Sequence, residues 1–412
     1  MQIPCIKCKG RGFCGRDFCP IYAKAQALFR VQKLLDKQEF LGASPAPFVG
    51  RVGYPFVNVG ILSPPERSDN VWEYDAPRHW AESNYAIPQI IDFRSSLINS
   101  RFNAHIKDQN KFLEIGQEVG MASQPVDVEI RLEKKPFFRT TYDASIAPTG
   151  PNATLKHVEI TSNPKVPRAV DKVVSDIDLK ATEALVYLNG KGFDENYLSR
   201  LLSIGTLGMR PQRKLVPTRW SITAVDDMLA KRLMTEVRQY PESDYEFYRG
   251  GYLGNYYFVL LFSEPWSYEL FESYLPRAGW NPTTEIQFST DYESNAGRTT
   301  YAEECAGGYY AARLALLELL QKKKRQASAL VMRFITGEYA VPLGVWVCRE
   351  ATRKAVKSKP IVFDDCKTML RYAQALIQRK FGYDITQILN ESRLLRNIKE
   401  QTKLTGFLSQ AF

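Results

Sequence analysis

Val126, Val128, Ile130 and Leu132 alternate with Asp127, Glu129, Arg131 and Glu133, the period of a strand with one buried face. Leu155 to Ile160 predicts a second strand. Val57, Val59 and Ile61 alternate inside residues 41–67, a stretch so rich in Gly and Pro that it reads as loop, short strand, loop. Tyr256 to Phe262 is apolar without a break, as in a strand covered on both faces. Helical spacing appears elsewhere. Pro20 opens a helix with Ala25, Leu28, Phe29 and Leu35 as its apolar stripe. Residues 178–202 read as helix, interrupted at Gly190-Lys191-Gly192. Thr223 opens another, with Val225, Leu229, Leu233 and Val237 on one face.

From Thr300 the pattern turns helical. Ala311, Leu314, Ala315 and Leu317 share a helix that ends near Lys322-Lys323-Lys324-Arg325, where cations complement the dipole. Asp364 and Asp365 start a second helix, and Gly382 stops it. Asp384 caps a third that carries Ile385, Ile388, Leu389, Leu395 and Ile398. Strands and helices mix without regular βαβ alternation, so the fold class is α+β. The predicted division is a four-cysteine metal-binding knuckle at 1–20, a mixed α+β main domain at 21–299, a smaller, mainly helical C-terminal domain at 300–400 and a tail at 401–412.

Composition narrows the setting. Of 412 residues, 44% are hydrophobic and 24% charged, which is ordinary for a globular protein. No apolar run approaches the ~18 residues of a membrane span. The first residues, MQIPCIKCKG, contain no apolar signal region, so no membrane partner and a cytoplasmic location are expected. The net charge of +10 is uneven: residues 313–403 hold nineteen Lys and Arg against eight Asp and Glu. Such a surplus is either a footprint for DNA or a solvated basic face.

Four of the seven cysteines, Cys5, Cys8, Cys14 and Cys19, fall within fifteen residues. In a cytoplasmic protein this spacing reads as a metal site rather than a disulfide framework. Four thiolates close a tetrahedron around zinc, and a closed site is structural. Cys19-Pro20 also suits an iron–sulfur run, although those are spaced more tightly. Lys7, Lys9, Arg11 and Arg16 surround the cluster and could touch phosphate.

The chain ends QTKLTGFLSQAF. Gln401, Leu404, Phe407 and Leu408 have the spacing of the PCNA-interacting peptide of sliding-clamp partners. Steps of three, three and one gather the apolar three on one side of a 3₁₀ turn, a plug for a pocket, with Phe407 as anchor. Gln401 can bond to the pocket's backbone. The alternative is that the tail packs back on the C-terminal helices.

The knuckle, the internal runs FVGRVGYPFVNVG (48–60) and KLVPTRWSITAVDD (214–227), and the terminal motif together resemble the archaeal Nre proteins over the whole chain. The resemblance implies a role in DNA damage repair and a tie to the sliding clamp (PCNA) through the C-terminal peptide. It implies metal ligation by Cys5, Cys8, Cys14 and Cys19 and clamp contact by Gln401, Leu404, Phe407 and Leu408. Leu408 stands where clamp peptides commonly carry a second aromatic. The resemblance supplies no reaction.

An enzyme is the alternative, either a metal-dependent nuclease or a user of NAD or another nucleotide. Asp226 and Asp227 could ligate a metal and Arg219 a phosphate, but Thr223-x-x-Asp226 also fits a capping box. Gly50, Gly53 and Gly60 surround Arg51, without the Lys-Ser/Thr of a P-loop. A pocket of Arg51, Arg94, Ser95 and Arg219 would suit a nucleotide. The three histidines, His79, His105 and His157, lack metal or triad spacing, and the abundant aromatics single out no base-stacking platform.

Overall fold

A computed structural model describes residues 5–400 except 10, 12, 14–17, 35–37, 137–145, 277, 279 and 282, with the side chains of Cys5, Ile6 and Leu34 also outside it. Gln401, Leu404, Phe407 and Leu408 lie outside the described residues, as do Cys14 and the side chain of Cys5. Helices and mixed sheets make an α+β protein. The chain separates into two compact units, 1–229 with 340–346, and 230–339 with 347 onward. The division falls inside a helix, and position 300, where the sequence pattern turns helical, belongs to the second unit.

The first unit is built on a six-stranded sheet: β1 (Glu39–Ser44), β2 (Ala46–Val49), β3 (Phe56–Ser63), β4 (Ile98–His105), β5 (Val126–Leu132) and β6 (Asn152–Ile160). Their order is β1-β5-β6-β4-β3-β2, with β4 and β6 parallel and the other neighbours antiparallel. Residues 41–67 therefore supply most of three strands where the pattern showed one. Alternation is clean where one face is buried: Val126, Val128, Ile130 and Leu132 point into the core with Val57, Val59, Ile61, Phe102 and Val158. Each such side chain contributes about 1.5–3 kcal/mol by leaving water.

Helix α1 (Pro20–Leu34) begins at the predicted proline, but its buried positions are Pro20, Ile21, Lys24, Ala27 and Val31, and Phe29 is 59% exposed. The predicted stripe is thus rotated. Further helices are α2 (Ile87–Ser96), α3 (Lys111–Met121), α4 (Ala181–Gly190), α5 (Glu195–Ser203) and α6 (Thr218–Val237). The interruption between α4 and α5 falls where the two glycines place it. Helix α6 starts at Thr218, not Thr223, because the chain turns helical directly after Pro217, whose carbonyl accepts from the Trp220 and Ser221 N–H groups.

In the second unit the sheet comprises β7 (Tyr245–Tyr252), β8 (Asn255–Phe262), β9 (Ser267–Tyr274), β10 (Gln287–Glu293), β11 (Ser328–Ile335) and β12 (Ile361–Phe363), in the order β10-β9-β11-β8-β7-β12. Its helices are α7 (Ala306–Lys323), α8 (Trp346–Val356), α9 (Cys366–Phe381), α10 (Thr386–Glu391) and α11 (Arg393–Glu400). One face packs Phe258, Leu260, Leu330 and Met332 against Met369, Ala373, Ile377 and Leu394. On the other, the Tyr268 hydroxyl donates to the Tyr309 carbonyl of α7 at 3.2 Å, and Gly250 of β7 abuts Ala355 of α8. The middle strand β11 is consequently buried along its whole length, inside the stretch read as helical. Helix α9 is bounded as expected, capped by the Asp365 side chain and ended by Gly382 at φ +69°.

Charged side chains of residues 313–403 are partly turned inward. Arg313 meets Glu293 at 2.7 Å with both side chains fully buried; Arg333 pairs with Glu272, Lys323 with Glu246, and Arg353 with Glu318 and Glu350. These paired cations are structural, but most of the surplus stays outside: Lys322, Lys324 and Arg325 at the end of α7, and Lys367, Arg371, Arg379, Lys380, Arg396 and Lys399 on the last helices, are exposed.

Candidate functional site

Two of the segments that carry the family resemblance meet in the first unit. Strand β2 runs into a tight turn at 50–55 and returns as β3. Gly53 makes the turn at φ +87°, where an added Cβ would lie 2.7 Å from the Phe56 carbonyl. The turn sits against the start of α6. The Val49 N–H donates to Thr218 Oγ1 at 2.9 Å, Thr218 Oγ1 is 3.1 Å from Ser203 Oγ, and the Tyr54 and Trp220 rings are 5.2 Å apart. Arg51 and Arg219 are both exposed on these segments.

Arg94 belongs to a different cluster. Its guanidinium bonds Asp75 at 3.0 Å and lies 5.1 Å from the Trp80 ring centroid. Asp75 also accepts from Asn196, at the wall of a cavity of about 320 Å³ that includes Trp72, His79, Tyr197 and Arg200. Arg200 donates to the carbonyls of Pro45 at 2.6 Å and Ala122 at 2.8 Å. Burial pushes its guanidinium below the ordinary value, and burial pushes Tyr197 up to about 12, opposed by Arg200 beside it. With Asp75, Glu82 and Asp194 in its lining, this cavity has no surplus of positive charge for a phosphate.

Asp226 is fully buried, eight residues inside α6 rather than in its first turn, so it is not the cap residue that the Thr223 spacing suggests. Ser95 is likewise buried. Of the four candidates, Arg51 and Arg219 thus lie on joined segments, Arg94 is held in an ion pair, and Asp226 is core. Among the N-terminal cysteines, Cys5 and Cys8 bound a short helical turn, Cys8 is buried, and Cys19 Sγ accepts from the Tyr22 N–H at 3.5 Å at the start of α1. Among the described residues no group of three or more His, Cys, Asp or Glu side chains gathers to hold a metal. No helix among them is long and apolar enough to cross a membrane.

The aromatics Tyr54, Phe56 and Trp220 were not legible as site residues. The available signal was their company: residues 46–63, 98–105 and 214–223 contain no Asp or Glu, yet carry Arg51, Arg101, Lys214 and Arg219.

The sequence matches the family descriptions "Archaeal Nre, N-terminal" over residues 13–281 and "Archaeal Nre, C-terminal" over residues 293–407. This chain belongs to the archaeal Nre family. It is 38% identical over 400 residues to the DNA repair protein NreB of Archaeoglobus fulgidus, covering 97% of this chain and 98% of that protein. It is 39% identical over 327 residues to the DNA repair protein NreA of Haloferax volcanii, covering 77% and 78%. The A. fulgidus NreA is 37% identical over 384 residues, 92% of this chain and 95% of the relative. No solved structure matches. The two Nre regions divide between 281 and 293, in the second unit, so that β7 to β9 fall within the N-terminal Nre match.

Proposed function

We propose that this Nre protein is a cytoplasmic DNA damage repair protein recruited to the sliding clamp by its C-terminal peptide, with a structural zinc knuckle and non-specific affinity for DNA. The observation that carries the reading is similarity along nearly the whole chain to proteins named for DNA repair, together with the motif Gln401-x-x-Leu404-x-x-Phe407-Leu408. The plug formed by Leu404, Phe407 and Leu408 fills an apolar pocket while Gln401 bonds to its backbone. Tethering raises the concentration of the body beside DNA threaded through the clamp, so weak intrinsic DNA binding suffices.

Cys5, Cys8, Cys14 and Cys19 would hold the zinc. The donor chemistry fits: the four cysteines lie close in sequence, Cys5 and Cys8 bound one helical turn, and Cys19 Sγ accepts from the Tyr22 N–H at the start of α1. The ion supplies a cross-link in a segment too short for a core of its own.

The test is titration of a sliding clamp with the full chain and with a Phe407→Ala, Leu408→Ala variant. The variant is expected to lose about tenfold or more in affinity; equal binding by both refutes recruitment by the tail.

A further inference from the structure

We infer that the open half-face of the first sheet, with the 50–55 turn and the first turn of α6, binds single-stranded DNA. The inference rests on the proposed DNA contact and assigns it a place and a substrate form. Residues whose side chains alternate away from the first core are Phe48 on β2, Phe56, Asn58 and Leu62 on β3, and Arg101, Asn103 and His105 on β4. The register sets Phe48 opposite Gly60 and Gly60 opposite Arg101, while Phe56 faces His105 with ring centroids 5.1 Å apart. Phe48 and Phe56 are thus about 13 Å apart along the strands.

Four aromatics on this surface stay open: Phe56 is 58% exposed, Trp220 44%, Tyr54 41% and Phe48 39%. Val52, at the tip of the turn, is 80% exposed. Rings left this open in one neighbourhood mark a binding surface rather than a core. Their surroundings select the partner. Arg51, Arg101, Lys214 and Arg219 stand on these segments, which carry no carboxylate of their own; Asp108, just past β4, has its Oδ2 taken by the His105 N–H at 2.7 Å. An apolar protein partner needs no such one-sided charge, whereas a polyanion with flat apolar faces matches both features.

Unpaired bases stack on exposed rings, and the cations follow the phosphates. A duplex hides its base faces and would engage only the cations. Asn58 and Asn103, paired across β3 and β4, add donors and acceptors for base edges without imposing one sequence.

The experiment measures anisotropy of a labelled oligo(dT) and of a duplex of equal length, at several salt concentrations, with the full chain and its variants. Phe56→Ala with Trp220→Ala is expected to weaken oligo(dT) binding about tenfold or more, leaving duplex affinity and the salt slope nearly unchanged. Phe56→Tyr, which keeps the ring, should restore most of the Phe56 contribution. Arg51→Ala with Arg219→Ala should reduce the slope of log affinity against log salt by about 1. If the aromatic variant binds oligo(dT) like the parent, or loses duplex and single strand equally, the inference is overturned and the patch passes to a protein partner. If the parent binds neither form, the DNA contact proposed above falls with it. Binding by the parent that ignores all these residues overturns only the placement on this sheet.

Discussion

The ring of Tyr54 lies 5.2 Å from that of Trp220, inclined at 53°, and joins the β2–β3 turn to the start of α6. Neither ring is core, so the contact does not arise from burial alone. Beneath it, the buried backbone of Val49 donates to Thr218 Oγ1, which also meets Ser203 Oγ. The turn that presents Arg51 and the helix that presents Arg219 are therefore held by one hydroxyl and one ring pair.

Removing that hydroxyl should be costly. Thr218→Val keeps shape but leaves the Val49 N–H without its acceptor, a loss of about 1–3 kcal/mol for a buried donor. Thr218→Ser retains the oxygen and should stay within about 0.5 kcal/mol of the parent. Urea unfolding of the two variants checks this. Equal stabilities would show that the bond does not hold the turn.

Two helical glycines should respond in opposite directions. A Cβ on Gly308 of α7 would lie 2.2 Å from Glu272 Oε1, the partner of buried Arg333. Gly308→Ala should therefore destabilise by about 1–3 kcal/mol through overpacking. Nothing lies within 4 Å of a Cβ on Gly190, at the end of α4, and Gly190→Ala should stabilise by about 0.5–1 kcal/mol. Thermal unfolding of both variants would give opposite shifts of the midpoint.

What could be read in advance follows from which faces are buried. Strand β5 was legible because one face meets the core and the other meets water, so VDVEIRL keeps its period. Strand β11 was not, because SALVMRFI is covered on both sides and carries no period. Helix α9 was legible because Asp365 and Gly382 mark its ends locally. Inside α6, Thr223 and Asp226 imitate a cap, whereas Pro217 sets the true beginning of the helix. Arg51 and Arg219 could be named from their motifs, but the Tyr54–Trp220 contact depends on folding together distant segments, which no local pattern encodes.

Tyr197 should make stability depend on alkaline pH. Burial is the main cause of its raised value of about 12, and its hydroxyl donates to the Met121 carbonyl. The unfolded chain ionises this phenol near its ordinary value of about 10. The folded protein thus holds the proton over the interval between, and the stabilisation is complete below about pH 10 and lost as pH rises towards about 12. Tyr197→Phe has no proton to lose, so the parent's advantage over it should shrink across that window. Melting temperatures of both proteins from about pH 8 to about pH 11 test this, and a constant difference would contradict it.

The proposed zinc knuckle predicts a metal content that separates its cysteines from the rest. Four thiolates in a closed set bind about one zinc per chain and leave no open position. Replacing Cys5, Cys8, Cys14 or Cys19 by Ser removes a ligand and should lower the zinc recovered with the protein. Cys305→Ser should leave zinc unchanged, because that thiol is buried against the Leu270 carbonyl in the second unit and burial pushes it well above the usual range. Elemental analysis of the purified chains decides the ion as well as the ligands. Zinc leaves the protein colourless, whereas iron with inorganic sulfide and visible absorption would replace the zinc assignment by a cluster. A chelator should lower the melting temperature without altering oligo(dT) binding, because the proposed knuckle would hold only its own segment and the proposed DNA surface lies on β2, β3, β4 and α6.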